Sequence, residues 1–290
     1  MPEMVREPNF KDTWSATSGS VQEYLTQHVD SMADQSELGL FRLKSAYAYT
    51  LLNGGKRFRS VLALWVAKTL GWSERHVLPY AAAIEMIHTY SLIHDDLPCM
   101  DNDLERRGKP SNHLVFGEDY ALLAGDALLT EAFGIVSRSY LSHDQGMRVI
   151  SEMSRLSGVG GMIGGQAIDL LAQKEGINRT RLERMHRLKT GALIRAAVVG
   201  SALLCRANAE EESALAEYAE NLGLAFQIVD DIQDSAEVVE PGSYIAVVGP
   251  EETQNLLKEV SERAESALKQ VAGDTSMLSQ VIEYNRTRLD

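Results

Sequence analysis

Cysteine is nearly missing from this 290-residue chain, which has only Cys99 and Cys205. Two thiols make no disulfide framework, and a reducing compartment, the cytoplasm, is the expectation. Proline is scarce too, seven in all, which removes the commonest interruption to helices. Basic residues fall short of acidic ones, 28 against 41, for a net charge of −13. So acidic a chain lacks the basic stripe of a nucleic-acid or anionic-membrane binder. Any anionic ligand must be held locally, by particular Arg or Lys side chains or by a metal ion. No apolar run approaches the roughly 18 residues of a membrane span. Met1 to Trp14 is polar and charged, without the apolar core of a signal peptide. Alternating strand-like runs closed by Asn-Gly or Asp-Gly turns are missing as well. Ser243–Val248 is a lone β-branched patch.

Helical periodicity fills most of the rest. Apolar residues recur at threes and fours from Val21 to Leu52, as at Leu40, Leu43, Tyr47 and Leu51. Phe58–Leu70 and Tyr80–Leu97 read as helices, the second apolar nearly all round, as at the centre of a bundle. Tyr120–Tyr140, Met147–Leu171, Arg179–Leu204, Glu210–Ile232 and Glu251–Val271 add further runs. No short repeat or low-complexity linker divides the chain. Residues 1–290 are therefore expected to form one all-α domain of about ten helices.

Two aspartate clusters carry the chemistry. His94-Asp95-Asp96-Leu97-Pro98-Cys99-Met100-Asp101-Asn102-Asp103 closes the apolar helix, and its carboxylates repel one another and oppose the helix macrodipole. A cation should neutralise them. All-oxygen ligands without clustered His or Cys suit a hard ion, magnesium first. A regular helix would not put Asp95 and Asp101 on one face, but Pro98 breaks the helix between them and lets them converge. The second cluster, Asp230-Asp231-Ile232-Gln233-Asp234, ends another helical run, with Asp230 and Asp234 on one face. One acidic pair at a helix end is usually a solvated surface feature. Two clusters, each closing an apolar helix, point instead to a site.

Basic residues fit the same site. Lys56, Arg57 and Arg59 open a helix whose free N–H groups favour anions. Arg106 and Arg107 follow the first cluster, and Lys189-Thr190 lie in a helical run. Such groups beside carboxylate–metal sites suggest a clamp for a polyphosphate. Other motifs fail their tests. Gly54-Gly55-Lys56-Arg57 has Thr50 where a P-loop needs its first glycine, and no Ser or Thr follows the lysine. Gly158-Val159-Gly160-Gly161 follows no strand, lacks the third spaced glycine of a dinucleotide fingerprint, and reads as close helix packing.

In combination these motifs resemble the trans-isoprenyl diphosphate synthases, from about Leu51 to Asp234. In family order they are Gly54-Gly55-Lys56-Arg57-Phe58-Arg59, Ile87 to Asp101, Arg106-Arg107-Gly108-Lys109-Pro110, Gly125-Asp126-Ala127-Leu128-Leu129, Gly164-Gly165-Gln166, Lys189-Thr190-Gly191 and Phe226-Gln227-Ile228-Val229-Asp230-Asp231. The Leu97-Pro98 insertion in the first aspartate motif resembles bacterial farnesyl and plant or bacterial geranylgeranyl enzymes. The resemblance implies a helical bundle around a deep apolar cavity, usually in a homodimer. It implies that Asp95, Asp96 and Asp101 bind Mg2+ on an allylic diphosphate, with Arg106 assisting, and that Asp230, Asp231 and Asp234 hold a further ion there. Gly55, Lys56, Arg59, His88 and Arg107 would bind isopentenyl diphosphate. Lys189, Thr190 and Gln227 would steady the allylic diphosphate and the developing cation. Tyr90, about one turn before Asp95, resembles the pocket floor of farnesyl-type enzymes and implies a fifteen-carbon product, with the twenty-carbon geranylgeranyl product as runner-up.

Two departures stand out. Leu104-Glu105 replaces the usual Asp-Leu, with Glu105 keeping the charge. The family also carries a longer Gly-Lys loop after the second cluster, whereas here no Lys occurs between Asp234 and Lys258. Of a true deletion around Ser235–Ser243 and a lid segment left out of the sequence, the second is the expectation. A class I terpene cyclase would replace the second motif with an Asn/Ser/Glu triad. An HD-type hydrolase would need more histidine ligands than His88 and His94, and a regulatory subunit would have lost its aspartate motifs.

Overall fold

Helix α4 (Glu74–Asp95) has almost no polar face: Val77, Tyr80, Ala81, Ala82, Ala83, Ile84, Met86, Ile87, Tyr90 and Ile93 are all buried. A helix apolar all round must be surrounded. In the computed structural model, which describes residues 9–32, 37–140, 143–235 and 242–288, α4 is packed by α1 (Phe10–Ser31), α2 (Leu38–Leu51), α3 (Phe58–Thr69), α6 (Glu118–Ser139) and α10 (Ala192–Leu204). Helix α10, buried from Ala192 to Leu204 except Arg195, joins this layer to α11 (Ala209–Asp234), and α13 (Pro250–Leu268) lies along α11. Asn208 starts α11 with a capping box, its side chain accepting from the amides of Glu210 and Glu211 while Glu211 bonds back to the Asn208 amide. The all-α expectation holds. The described residues contain one pair of two-residue strands, β1 (Glu105–Arg106) and β2 (Lys109–Pro110), inside the long Asp101–Gly117 connection, which continues into α5 (Asn112–Phe116).

Several element boundaries differ from the sequence reading. Met147–Leu171 is not one helix but α7 (His143–Ser157) and α8 (Met162–Glu175). A Cβ on Gly161 would lie 1.9 Å from the Leu156 carbonyl oxygen, so the Gly158–Gly161 run makes a turn rather than a packing face. Close helix packing falls instead at Gly165, where a Cβ would lie 2.1 Å from the Lys189 amide nitrogen. Arg179–Leu204 comprises α9 (Arg179–His186), a π-helical turn (Arg187–Gly191) and α10. The β-branched patch after Ser243 is helical, α12 (Tyr244–Val248), because the Ser243 side chain caps the Ala246 amide and Tyr244 is buried. A last helix, α14 (Ser276–Thr287), carries an amphipathic pattern that the sequence reading passed over. Among the described helices α6 alone has the length and apolarity of a membrane span (mean hydropathy 1.3), and it packs along α2, α4, α5 and α7 as a bundle helix. Of the connection around Ser235–Ser243, residues 236–241 lie outside the described residues.

Candidate active site

The chain turns back after Asp95, where Pro98 was expected to break the helix. Helix α4 stops at Asp95, and a tight turn follows. The Met100 and Asn102 amides donate to the Leu97 carbonyl, and the Asp101 amide donates to the Asp95 carbonyl at 2.9 Å. Asn102 closes the turn with φ 55. Burial pushes the Asp95 carboxyl up to about 6; Asp101 and Asp96 add to the shift, while Lys189 and Arg106 oppose it. Asp96 is buried, 1% exposed. Its carboxylate receives Arg106 Nε at 3.0 Å, and the same guanidinium holds Asp103. Glu105 is exposed on β1.

The second cluster occupies the last turns of α11. Asp230 Oδ1 lies 3.0 Å from Arg288 Nη1, and Asp231 Oδ2 accepts the Tyr244 amide at 2.7 Å. Burial raises the Asp230 pKa, Arg288 and Lys56 pull it down, and Asp234 adds to the rise. Asp234 itself is exposed.

Between α3 and this cluster lies a basic cavity of about 180 Å³, lined by Lys56, Arg59, His88, Arg107, Phe226 and Arg288 among others. Burial pushes Arg59 down to about 10, with Arg107 adding and Glu85 and Asp230 opposing, and its Nε has no hydrogen-bond partner. Burial and four guanidinium groups hold the His88 pKa well below the ordinary histidine range, so this imidazole is neutral at pH 7. An unpartnered buried arginine among cations is arranged to receive an anion. Gly55 serves the same cavity: at φ +102 it leaves room for Arg107, whose Cζ would stand 2.7 Å from a Cβ there, and Arg107 Nη1 donates to the Gly54 carbonyl at 2.8 Å. Arg57 differs from its neighbours Lys56 and Arg59. It takes φ 51 and turns inward to Glu85, 2.9 Å away in an ion pair about 2% exposed on each side. Its role is to hold α3 against α4.

The π turn connects the two clusters. Because Gly165 lets α8 lie against it, Asp169, one turn further along α8, reaches Lys189 Nζ at 2.5 Å. Lys189 also acts on Asp95, while the adjacent Thr190 donates to Gln227 Oε1 at 2.8 Å and Gln227 Nε2 donates to Asp230 at 3.2 Å. Thus Lys189 faces one cluster and Thr190 the other. His186, three residues earlier, approaches both Gln227 and Asp231 and is pushed down to about 4 by burial. Tyr90 is buried in the apolar cluster with Ile93, Leu97 and Leu128, its ring edge-on to His94. Asp169, His186 and Arg288 were missed by the sequence reading. Only His186 left a signal, one helical turn before Lys189.

Hard oxygen donors dominate both clusters, which suits Mg2+. Among the described residues no three acidic, His or Cys side chains stand close enough together to hold a metal ion by themselves.

A family model described as Polyprenyl synthetase matches residues 41–240. The chain is 38% identical over 284 residues to a farnesyl diphosphate synthase of Micrococcus luteus, covering 91% of this chain and 98% of that one. It is 48% identical over 191 residues to a geranylgeranyl diphosphate synthase of Cyanophora paradoxa, covering 64% and 63%. A crystal structure of an FPP/GFPP synthase from Zymomonas mobilis matches with a TM-score of 0.88 at 32% identity, over 95% of this chain and 98% of that one.

Proposed function

Because the chain belongs to the polyprenyl synthetase family, we propose that it is a prenyltransferase joining isopentenyl diphosphate to dimethylallyl or geranyl diphosphate, with farnesyl diphosphate as its product. The observation that carries this reading is the pairing of two carboxylate clusters with a basic cavity at Arg59, His88 and Arg107. Asp95, Asp96 and Asp101, with Asp230, Asp231 and Asp234 opposite, would hold Mg2+. The bound metal supplies Lewis acidity that neutralises the departing diphosphate. Arg106 and Lys189 add fixed positive charge where that negative charge grows. As the allylic C–O bond breaks, its electron pair leaves with the diphosphate. The double bond of isopentenyl diphosphate, held by Lys56, Arg59, His88 and Arg107, then attacks the allylic carbon. The released diphosphate accepts the proton lost in closing the new double bond, so no protein base is required. Thr190 and Gln227 would steady the allylic diphosphate and the developing cation.

Homodimer formation belongs to the same proposal. Leu38, Leu40 and Phe41 on α2, Leu114 and Val115 on α5, and Leu122 and Leu123 on α6 are exposed on three helices in mutual contact, as in a buried subunit interface. A single domain over 1–290 fits the coverage of the matched structure, and a cytoplasmic location fits two free cysteines.

The test is turnover with isopentenyl diphosphate and each allylic diphosphate, with and without Mg2+. A metal-dependent fifteen-carbon product is expected; no condensation with any allylic partner would overturn the reading. Similarity to the geranylgeranyl enzyme favours twenty carbons as the second reading. Tyr90→Ala should lengthen the product by one five-carbon unit, and an unchanged distribution would remove Tyr90 as the floor.

A further inference from the structure

We propose that His186 is a positioning residue for the reaction proposed above, on which this role rests: its Nδ1–H fixes the amide of Gln227 in one orientation at the second aspartate cluster. Gln227 Nε2 lies 3.2 Å from Asp230 Oδ2, and an ionised carboxylate only accepts, so the amide nitrogen must face Asp230. Its carbonyl oxygen therefore faces the other way, receiving the Thr190 hydroxyl at 2.8 Å and standing 3.1 Å from His186 Nδ1. A carbonyl cannot donate, so Nδ1 carries the ring proton.

The ring is held in place. It stacks on Tyr244 with centroids 5.2 Å apart and 20° between planes, and its side chain is 7% exposed. The amide of the same Tyr244 binds Asp231, so one aromatic pair braces both the orienting histidine and the carboxylate beside it. Thr190 and His186 differ as donors. A hydroxyl rotates freely, and Thr190 can turn to a diphosphate oxygen. The imidazole cannot follow, so once Thr190 turns away His186 remains as the donor that keeps the Gln227 carbonyl oriented, and the lone pair that Thr190 vacates is free for the positive charge developing on the allylic carbon.

Three variants separate this role from packing. His186→Phe keeps the stack on Tyr244 without the donor, His186→Asn places an amide N–H near the Nδ1 position, and His186→Gln places it near Nε2. Under saturating substrates His186→Phe should lose about tenfold in kcat, the scale of one hydrogen bond, with KM for isopentenyl diphosphate within twofold. His186→Asn should recover most of that loss and His186→Gln little. A His186→Phe enzyme with wild-type kcat, or an Asn variant no better than Phe at equal thermal stability, would overturn the proposal. Inactive wild-type protein would instead sink the functional reading. In that event the 15N spectrum of labelled histidine decides the geometry in the unmodified protein: an Nδ1–H tautomer at His186 supports it, and an Nε2–H tautomer refutes it.

Discussion

Asp96 takes its ion pair from Arg106, ten residues on, and the Asp95 backbone carbonyl accepts the Asp101 amide, although the Asp95 carboxylate also feels Lys189 on the π turn. Asp230 and Asp231 take their partners from three distant elements, Arg288 beyond α14, Tyr244 on α12 and His186 on α9. The two clusters also differ in exposure. Asp96 is buried to 2% at its side chain and its ion pair is closed, whereas Asp230 remains 31% exposed beside a cavity. An ion pair closed within a short stretch of chain depends less on distant docking than one assembled from several elements.

The strongest way to break this comparison is to remove one ligand from each side. Asp95→Ala and Asp230→Ala should each lower kcat by more than about 10²-fold, since both would touch charge that develops in the transition state. Near-normal turnover in either, or in excess chelator, would mean that cluster holds no catalytic metal. The counter-ions come next. Arg106→Ala strands the buried Asp96 carboxylate and should cost about 3 kcal/mol in urea unfolding. Asp95→Asn should act in the opposite direction on the metal-free protein. Burial raises this carboxyl from 3.8 to about 6, so the folded chain binds its proton more tightly than the unfolded chain does. Stability therefore falls as pH rises through that window, and the full penalty stands at pH 7. Asn removes it, adding about 3 kcal/mol at pH 7 in EDTA and little at pH 4; no gain at pH 7 would show that Asp95 is not strained when empty. Smallest should be Arg288→Ala, about 1 kcal/mol, because water reaches Asp230. Equal losses for the Arg106 and Arg288 variants would erase the distinction between the clusters.

The same distinction explains what could be read from the sequence. The end of α4, the break at Pro98 and the pairing with Arg106 follow from a short stretch of chain, where helix periodicity and proline geometry decide the outcome. The basic cavity was half legible: Lys56, Arg57, Arg59 and Arg107 all line it, but the charge of Arg57 is met by Glu85, a buried partner on another helix that no local pattern reveals. Arg288 was invisible for the same reason, reaching Asp230 only once α14 docks beside α3 and α11. At Tyr244–Val248 the β-branched patch, too isolated to found a sheet, is helical because capping by Ser243 and burial of Tyr244 outweigh a weak local preference. At Gly158–Gly161 the periodicity ran on through a turn that only the backbone conformation shows.

The π turn at Arg187–Gly191 changes the phase of a helix. An α-helix advances about 100° per residue, and a π turn accommodates one residue beyond the regular count. Upstream, Leu182 and Met185 face one apolar cluster; downstream, Ile194 and Val198 face another. Deleting any one residue between Arg187 and Gly191 would restore a regular helix and swing one of those pairs, or Lys189 and Thr190, by about 100° out of place. A single codon therefore separates this arrangement from an unbroken helix with no lysine and threonine between the aspartates. One extra residue is thus what lets two apolar faces and the Lys189–Thr190 pair coexist along a single helical run.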